Sequence, residues 1–314
     1  MPDELEEFGK GALPDPEDRR DLVLKLASQL GAIEVDWDTP FRLPMPPFVN
    51  QGRADCCVAC AWSYFHWQVT KRAYSVRDLF CRIALDYGAY IRDGGLQLVN
   101  NGQAESHEVK DPSPMTATNM RSTAGTKDEY RIDGKVYKAF ALPQGDINGF
   151  AWAIENYKGV VFGVYGTSEG WADKENPRPP LAGEELWGHA LKGQGHHLHE
   201  GVKCIEAMPS WVVGGTKLHH IKQTYFYAMT GVYSPWVLIP KDQIIDKPMY
   251  KKAVHADGKT FAALILTPNG SQIIDATSEE VWRSFSKVDS YQLDTVNADG
   301  TTNFDKSGCV QLPW

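Results

Sequence analysis

Three cysteines, Cys56, Cys57 and Cys60, lie within five residues at the head of the apolar run Val58 to Val69 (VACAWSYFHWQV). Adjacent cysteines such as the first two rarely bond to each other, because the small ring would be strained. A thiol at a helix N-terminus meets unpaired N–H groups and the positive end of the helix dipole. Both favour the thiolate, which is the nucleophilic form. Asp55 stands two residues from Cys57 and would raise that thiol's pKa if it pointed inward. Cys56 and Cys60 are expected to be packing residues, Cys60 one turn inside the apolar run. A second group with chemical potential is His196-His197-Leu198-His199-Glu200, since imidazoles and carboxylates are common zinc ligands. Its glycine-flanked setting (Gly193, Gly195, Gly201) promises no outer partners to hold the rings. The expectation is a solvated loop and no metal, and His219-His220 carries less signal still.

The elements that must position these groups follow from periodicity. Val58 to Val69 is apolar on nearly every face, which predicts a buried central helix. Phe41 to Phe48 (FRLPMPPF) holds three prolines and must run extended. Asp18 to Leu30 follows a helix period loosely, within an arm packed onto the body. The pattern from Ala73 to Leu98 suggests another helix, with a glycine-rich turn at Arg92-Asp93-Gly94-Gly95. Asp146 to Tyr157 reads as an amphipathic helix and Gly159 to Tyr165 as a buried strand. Further strands are expected around His189, at Val202 to Ala207 and at Thr224 to Tyr233. Helices first and strands second predict an α+β chain with two lobes. Beyond Pro240, Phe261 to Leu266, a Pro268-Asn269-Gly270 turn and Gln272 to Ile274 predict a hairpin. Thr277 to Glu280 matches a capping box that opens a helix through Phe285. The organisation expected is an arm over 1–40, a body over 41–240 divided near 140, and an appended module over 241–314.

Composition narrows the function classes. The 314 residues carry 32 Lys and Arg against 40 Asp and Glu, a formal charge of −8, so nonspecific nucleic-acid binding is not expected. With 42% hydrophobic and 23% charged residues, the chain can bury one large core or two smaller ones. Six cysteines are too few for a disulfide scaffold. No stretch reaches the roughly 18 apolar residues of a membrane span, and Met1 to Lys10 lacks the pattern of a secretory signal. A cytoplasmic location, or incorporation into an assembly, is therefore expected. The ten tryptophans read as core and cleft walls.

The segment Asn50-Gln51-Gly52-Arg53-Ala54-Asp55-Cys56-Cys57 resembles the active-site entry of papain-like cysteine peptidases, in which a Gln-Gly pair precedes the cysteine that opens a long buried helix. The alignment implies Cys57 as nucleophile and Gln51 as side-chain donor of the oxyanion hole. The resemblance also implies a histidine at the start of a strand of the second lobe. Trp187-Gly188-His189-Ala190-Leu191 supplies it 132 residues on (189 − 57). Tyr90 to Gly94 is similar to a segment of bacterial members, and Ile154 to Val164 to the helix, turn and strand before the histidine. The resemblance covers about residues 41 to 240. It breaks where an asparagine should orient the imidazole: Met208-Pro209-Ser210-Trp211 offers a proline. Asp55 and Val58 also replace the usual glycine and tryptophan beside the nucleophile.

What the resemblance implies is a papain-like two-lobed fold in which Cys57 attacks a peptide or amide carbonyl and His189 shuttles the proton. Gly94, Gly95, Ala190 and Trp211 are expected to lie along the substrate cleft, and no metal or organic cofactor is required. The rival expectation is a papain-fold structural or interaction component of a viral particle or other assembly, its site decayed. Pro209 and the unassigned tail from 241 to 314, a surface for an assembly partner, both favour that rival.

Overall fold

The computed structural model describes residues 11–18, 21–22, 35–211, 218–241, 249–254, 261–267, 270–275 and 310–311. The chain divides into two compact units, one of Met1–Val23 with Val35–Lys241 and one of Leu24–Glu34 with Asp242–Trp314. The helix expected over Asp18 to Leu30 and the capped helix from Thr277 to Phe285 lie largely or wholly outside the described residues.

The first unit opens with two short strands, β1 (Ala12–Leu13) and β2 (Phe41–Arg42), followed by the helices α1 (Cys57–Thr70) and α2 (Val76–Ile83). Strand β3 (Ala89–Tyr90), helix α3 (Ile91–Asn101), β4 (Gln103–Ala104), the single turn α4 (Ala117–Met120) and β5 (Arg131–Ile132) complete the helical half. The second half contains β6 (Tyr137–Ala141), α5 (Ile147–Tyr157), β7 (Val160–Gly166), β8 (Trp187–His199), β9 (Val202–Met208), β10 (His219–Lys222), α6 (Gln223–Tyr227) and β11 (Val232–Pro240). Its strands form one sheet in the order β10-β9-β8-β7-β11-β6, with β2 added on β8. Every pairing in that sheet is antiparallel.

Helix α1 is buried along eleven of its fourteen residues, in agreement with its all-round apolarity. Its polar members are bonded inside the protein: Ser63 donates to the Ala59 carbonyl, Trp62 Nε1 to the Ile91 carbonyl at 2.8 Å, and Tyr64 to the Val49 carbonyl. A polar group left unpaired there would cost on the order of 1–3 kcal/mol. Lys71 stops the helix in the left-handed conformation. Helix α5 starts where Asp146 accepts the Gly149 N–H at 2.8 Å as its N-cap, at the first residue of the amphipathic helix expected from the sequence.

Three readings of the sequence change. Arg92 to Gly95 is not a turn but the first half of α3. Gly94 and Gly95 are buried there against the Trp62 indole, where a Cβ on Gly94 would come within 2.3 Å of the ring. The stretch expected as a strand from Thr224 begins as the helix α6, and β11 starts only at Val232. His196 to His199 are strand residues of β8, not a solvated loop, because β9 and β2 pair with that end of β8.

The second unit is described as four strands, β12 (Met249–Val254), β13 (Phe261–Thr267), β14 (Gly270–Asp275) and β15 (Val310–Gln311), in the order β14-β13-β12-β15. Strands β13 and β14 pair as an antiparallel hairpin with Thr267 opposite Gly270.

The Gly94 contact generates a prediction. In an exposed helix, Gly→Ala stabilises by about 1 kcal/mol. Here the added methyl meets a hydrogen-bonded indole ring, and overpacking costs of about 1–3 kcal/mol decide the sign. Gly94→Ala is therefore expected to lower the urea midpoint at unchanged m-value. A raised midpoint would show that Trp62 yields freely.

Candidate active site

Cys57 is the first residue of α1, and Cys56 stands at its N-cap without a capping side chain. The first N–H groups of the helix thus point toward the thiol end. Backbone N–H groups of Ala190, Gly11 and Val58 lie close enough to the Cys57 sulfur to pull its pKa down. Ala190 follows His189 on β8, opposite Gly163 of β7. The junction of α1 and β8 therefore brings Cys57 beside the strand segment that carries the expected imidazole, although 132 residues (189 − 57) separate them in the chain.

The surroundings of both groups are dry. Cys57 and His189 are fully buried. Burial pushes the Cys57 thiol up to about 12, against the pull of the N–H groups from Ala190, Gly11 and Val58. Burial also holds the His189 imidazole well below its ordinary value, assisted by His219. Burial thus shifts both groups toward their neutral forms. Asp55, the residue expected to disturb the thiolate, points instead to Arg121, with one contact of 3.0 Å from Nη1 and a shorter one from Nη2.

The His189 ring stacks on Trp211, with centroids 4.0 Å apart. Neither ring nitrogen has a hydrogen-bond partner among the described residues. Pro209, at the sequence position where an orienting asparagine was expected, has no side-chain acceptor to offer. Gln51 is tied into the same corner: its N–H bonds the Ser210 carbonyl at 2.7 Å, its Nε2 donates to the Ala54 carbonyl at 2.6 Å, and its Oε1 accepts the Ser210 hydroxyl. The residues before and after Pro209 thus join Cys57's loop to His189's strand.

The sequence reading missed what covers the thiol. Strand β1 lies parallel to β3, Ala12 opposite Ala89 and Leu13 opposite Tyr90. The Ala89 N–H bonds the Gly11 carbonyl at 2.8 Å, and the Tyr233 hydroxyl donates to the Ala12 carbonyl at 3.0 Å. Glycines make room for it. A Cβ on Gly88 would come within 1.9 Å of the Gly11 carbonyl oxygen, and one on Gly188 within 2.2 Å of the Ala12 oxygen. Asp15 anchors the exit of this segment: its carboxylate accepts the Arg92 N–H at the start of α3 and Trp236 Nε1 at 2.7 Å. Residues 11–15 of the arm are therefore packed beside Cys57. The backbone that pairs with an extended segment there is Ala89 and Tyr90, whereas Gly94 and Gly95 face Trp62. Gly88 and Gly188 were the available signals, but their meaning depends on a strand far away in the chain.

No protein-family model matches the sequence, and no curated protein matches it. Solved structures do. Xylellain, a cysteine protease from Xylella fastidiosa, superposes with a TM-score of 0.58 at 21% identity, covering 74% of this chain and 97% of that one. Procathepsin L2 from the larval midgut of Tenebrio molitor gives 0.55 at 16% identity, covering 76% and 80%. The cysteine protease and lectin-like domains of Cwp84, a surface layer associated protein of Clostridium difficile, give 0.55 at 12%, covering 84% and 62%. The chain has the papain-like fold, as the sequence resemblance implies. Among the described residues no helix is long and apolar enough to cross a membrane.

A thiol held at about 12 is about one part in 10⁴ thiolate at pH 8. Iodoacetamide is expected to label Cys57 of the intact chain slowly, with a rate that climbs only in strong alkali. A Cβ on Gly11 would come within 2.3 Å of the Asp55 carbonyl oxygen, so Gly11→Val should expel β1. Labelling of Cys57 at pH 7 should then rise at least tenfold relative to Cys56 and Cys60, read by peptide mass spectrometry. An unchanged rate would show that β1 does not control the thiol.

Proposed function

We propose that this chain is a thiol peptidase or amidase whose nucleophile is Cys57 and whose proton carrier is His189, described here in its covered state. The arrangement that carries the reading is a buried thiol at the first residue of α1, close to Ala190, the residue after His189, whose ring nitrogens have no hydrogen-bond partner among the described residues. With β1 in place the pair is dehydrated and neutral. Displacement of β1 admits water and substrate, which reverses the burial that raises Cys57 and lowers His189.

An extended peptide would take the place of β1 along Ala89 and Tyr90, adding a strand through backbone hydrogen bonds. The Cys57 sulfur then attacks the carbonyl carbon while its proton passes to His189. The oxyanion is held by the Cys57 N–H and by Gln51 Nε2, provided the amide turns part of its bonding from the Ala54 carbonyl. Collapse breaks the C–N bond, and His189 returns the proton to the departing amine. Water, deprotonated by His189, cleaves the thioester, leaving a carboxylic acid and the free thiol. Trp211 holds the imidazole plane by stacking, and Ala190 and Trp211 line the reacting corner. The module from 241 to 314 is read as an appendage for a partner, outside this chemistry.

The rival reading, a papain-fold scaffold without activity, is favoured by Pro209 and by the protonated thiol. The test is hydrolysis of a mixed fluorogenic peptide library by the Gly11→Val chain. Weak turnover is expected, abolished by Cys57→Ala and unaffected by truncation after Pro240. Orientation of an imidazole by its side-chain partner is worth up to about 10⁴ in kcat, so Pro209→Asn should raise kcat about tenfold or more with little change in KM. No turnover in either variant, with Cys56, Cys57 and Cys60 labelled equally slowly, would leave the scaffold.

A further inference from the structure

The far end of β8 carries a second constellation. His197 and His199, two residues apart, share one face of the strand, and His220 comes to the same face from β10, with β9 between them. In register, Gly195 of β8, Glu206 of β9 and His220 of β10 form one cross-strand row, and His197, Cys204 and Lys222 form another two positions along. Ring centroids lie 4.3 Å apart for His199 and His220, 5.2 Å for His197 and His220, and 5.8 Å for His197 and His199. One ligand nitrogen from each falls within 4.8 Å of the others. We propose that His197, His199 and His220 bind a late first-row divalent metal ion, Zn²⁺ in the first instance, which clamps the edge strand β10 to β8 across β9.

The donor chemistry fits. Three imidazoles suit zinc and its neighbours, and Zn–N bonds of about 2.0–2.1 Å require nitrogens about 3.4 Å apart in a tetrahedron. The rings must therefore close by little more than an ångström, which half-buried side chains achieve by torsion. His220 Nδ1 is shielded from solvent with no hydrogen-bond partner among the described residues. Glu206 stands 3.4 Å from His197 Nδ1, the carboxylate-on-imidazole arrangement that fixes a ligand ring and raises its basicity.

Local charge does not oppose a cation. Arg42 is forked onto Glu206, and Lys222 Nζ meets Glu200 at 3.1 Å, so each cation beside the cluster has its own carboxylate. Glu200 also stands 3.9 Å from His199 Nε2, within reach of the fourth position. Cys204, opposite His197 in register, is fully buried. At about 3.3 Å per strand residue, His197 lies roughly 25 Å along β8 from His189, so the cluster is separate from the Cys57 corner.

The test uses the full chain without a polyhistidine tag, demetallated, titrated with ZnCl2 by calorimetry and with CoCl2 by absorption. One ion per chain with micromolar or tighter Kd is expected, and a Tm raised by roughly 5–10 °C at a hundredfold excess over Kd. The Co²⁺ adduct should absorb in the visible without a sulfur-to-cobalt charge-transfer band. His199→Gln, at a half-exposed position, should weaken binding at least tenfold while leaving the metal-free Tm in place, and His220→Gln should do the same. The inference is overturned by no stoichiometric binding, by undiminished affinity in the two variants, or by a thiolate band, which would assign the ion to the cysteines.

Discussion

Burial of α1 is the constraint from which the rest of the molecule follows. A helix with almost no solvent-facing side cannot shift or rotate without opening cavities, at costs of a few kcal/mol for each large side chain left unpacked. Trp62, Tyr64 and Phe65 hold it against its neighbours, and the Trp62 indole bonds the Ile91 carbonyl at the start of α3. The N-terminal end of α1 inherits that rigidity, and with it the position of Cys57. The same packing sets β8 against the helix, so the thiol meets the N–H of Ala190 without any flexible link between them.

Rigidity and dryness come together, and dryness works against reactivity. The helix start and three N–H groups act to lower the Cys57 pKa, yet burial outweighs them. Desolvation of an ion in a low-dielectric site costs several kcal/mol, more than a helix terminus returns. The balance depends on what lies over the site. Strand β1 seals it through backbone contacts, and Gly88 and Gly188 allow the close approach. The Gly11 carbonyl accepts the Ala89 N–H and the Ala12 carbonyl accepts the Tyr233 hydroxyl, so this segment is held through its main chain rather than its side chains. Asp15 explains why the native segment sits there: one carboxylate satisfies the N-terminus of α3 and the Trp236 indole together.

Strand β8 holds distinct surroundings at its two ends. Near its start, Gly188 lies against the Ala12 carbonyl and His189 stacks on Trp211; near its end, His197 and His199 come close to His220. Between them Lys192 is fully buried, its ammonium bonded to Gln194 and its pKa held well below the ordinary value by burial. The thirteen residues of β8, paired with β7 over 187–193 and with β9 from Lys192 to His199, give both ends a common frame.

The sequence by itself determined the elements whose signals are local. All-round apolarity announced α1, Asp146 announced the start of α5, and the valine-rich run after Gly159 announced β7. The spacing of Cys57 and His189, read through a resemblance, also anticipated the papain-like fold. Where the reading departed, the deciding partner was distant. Gly94 and Gly95 looked like a turn because glycine favours turns, but they serve the close approach of Trp62. The histidine run looked like a loop because of its glycines, and pairing with β2 and β9 made it strand. The protonation of Cys57 and His189 was beyond local inference altogether. A helix N-terminus is visible in a sequence, whereas the burial that overrides it is created by Gly11 to Leu13 meeting residues near positions 88 and 188, and only the folded chain brings those three stretches together.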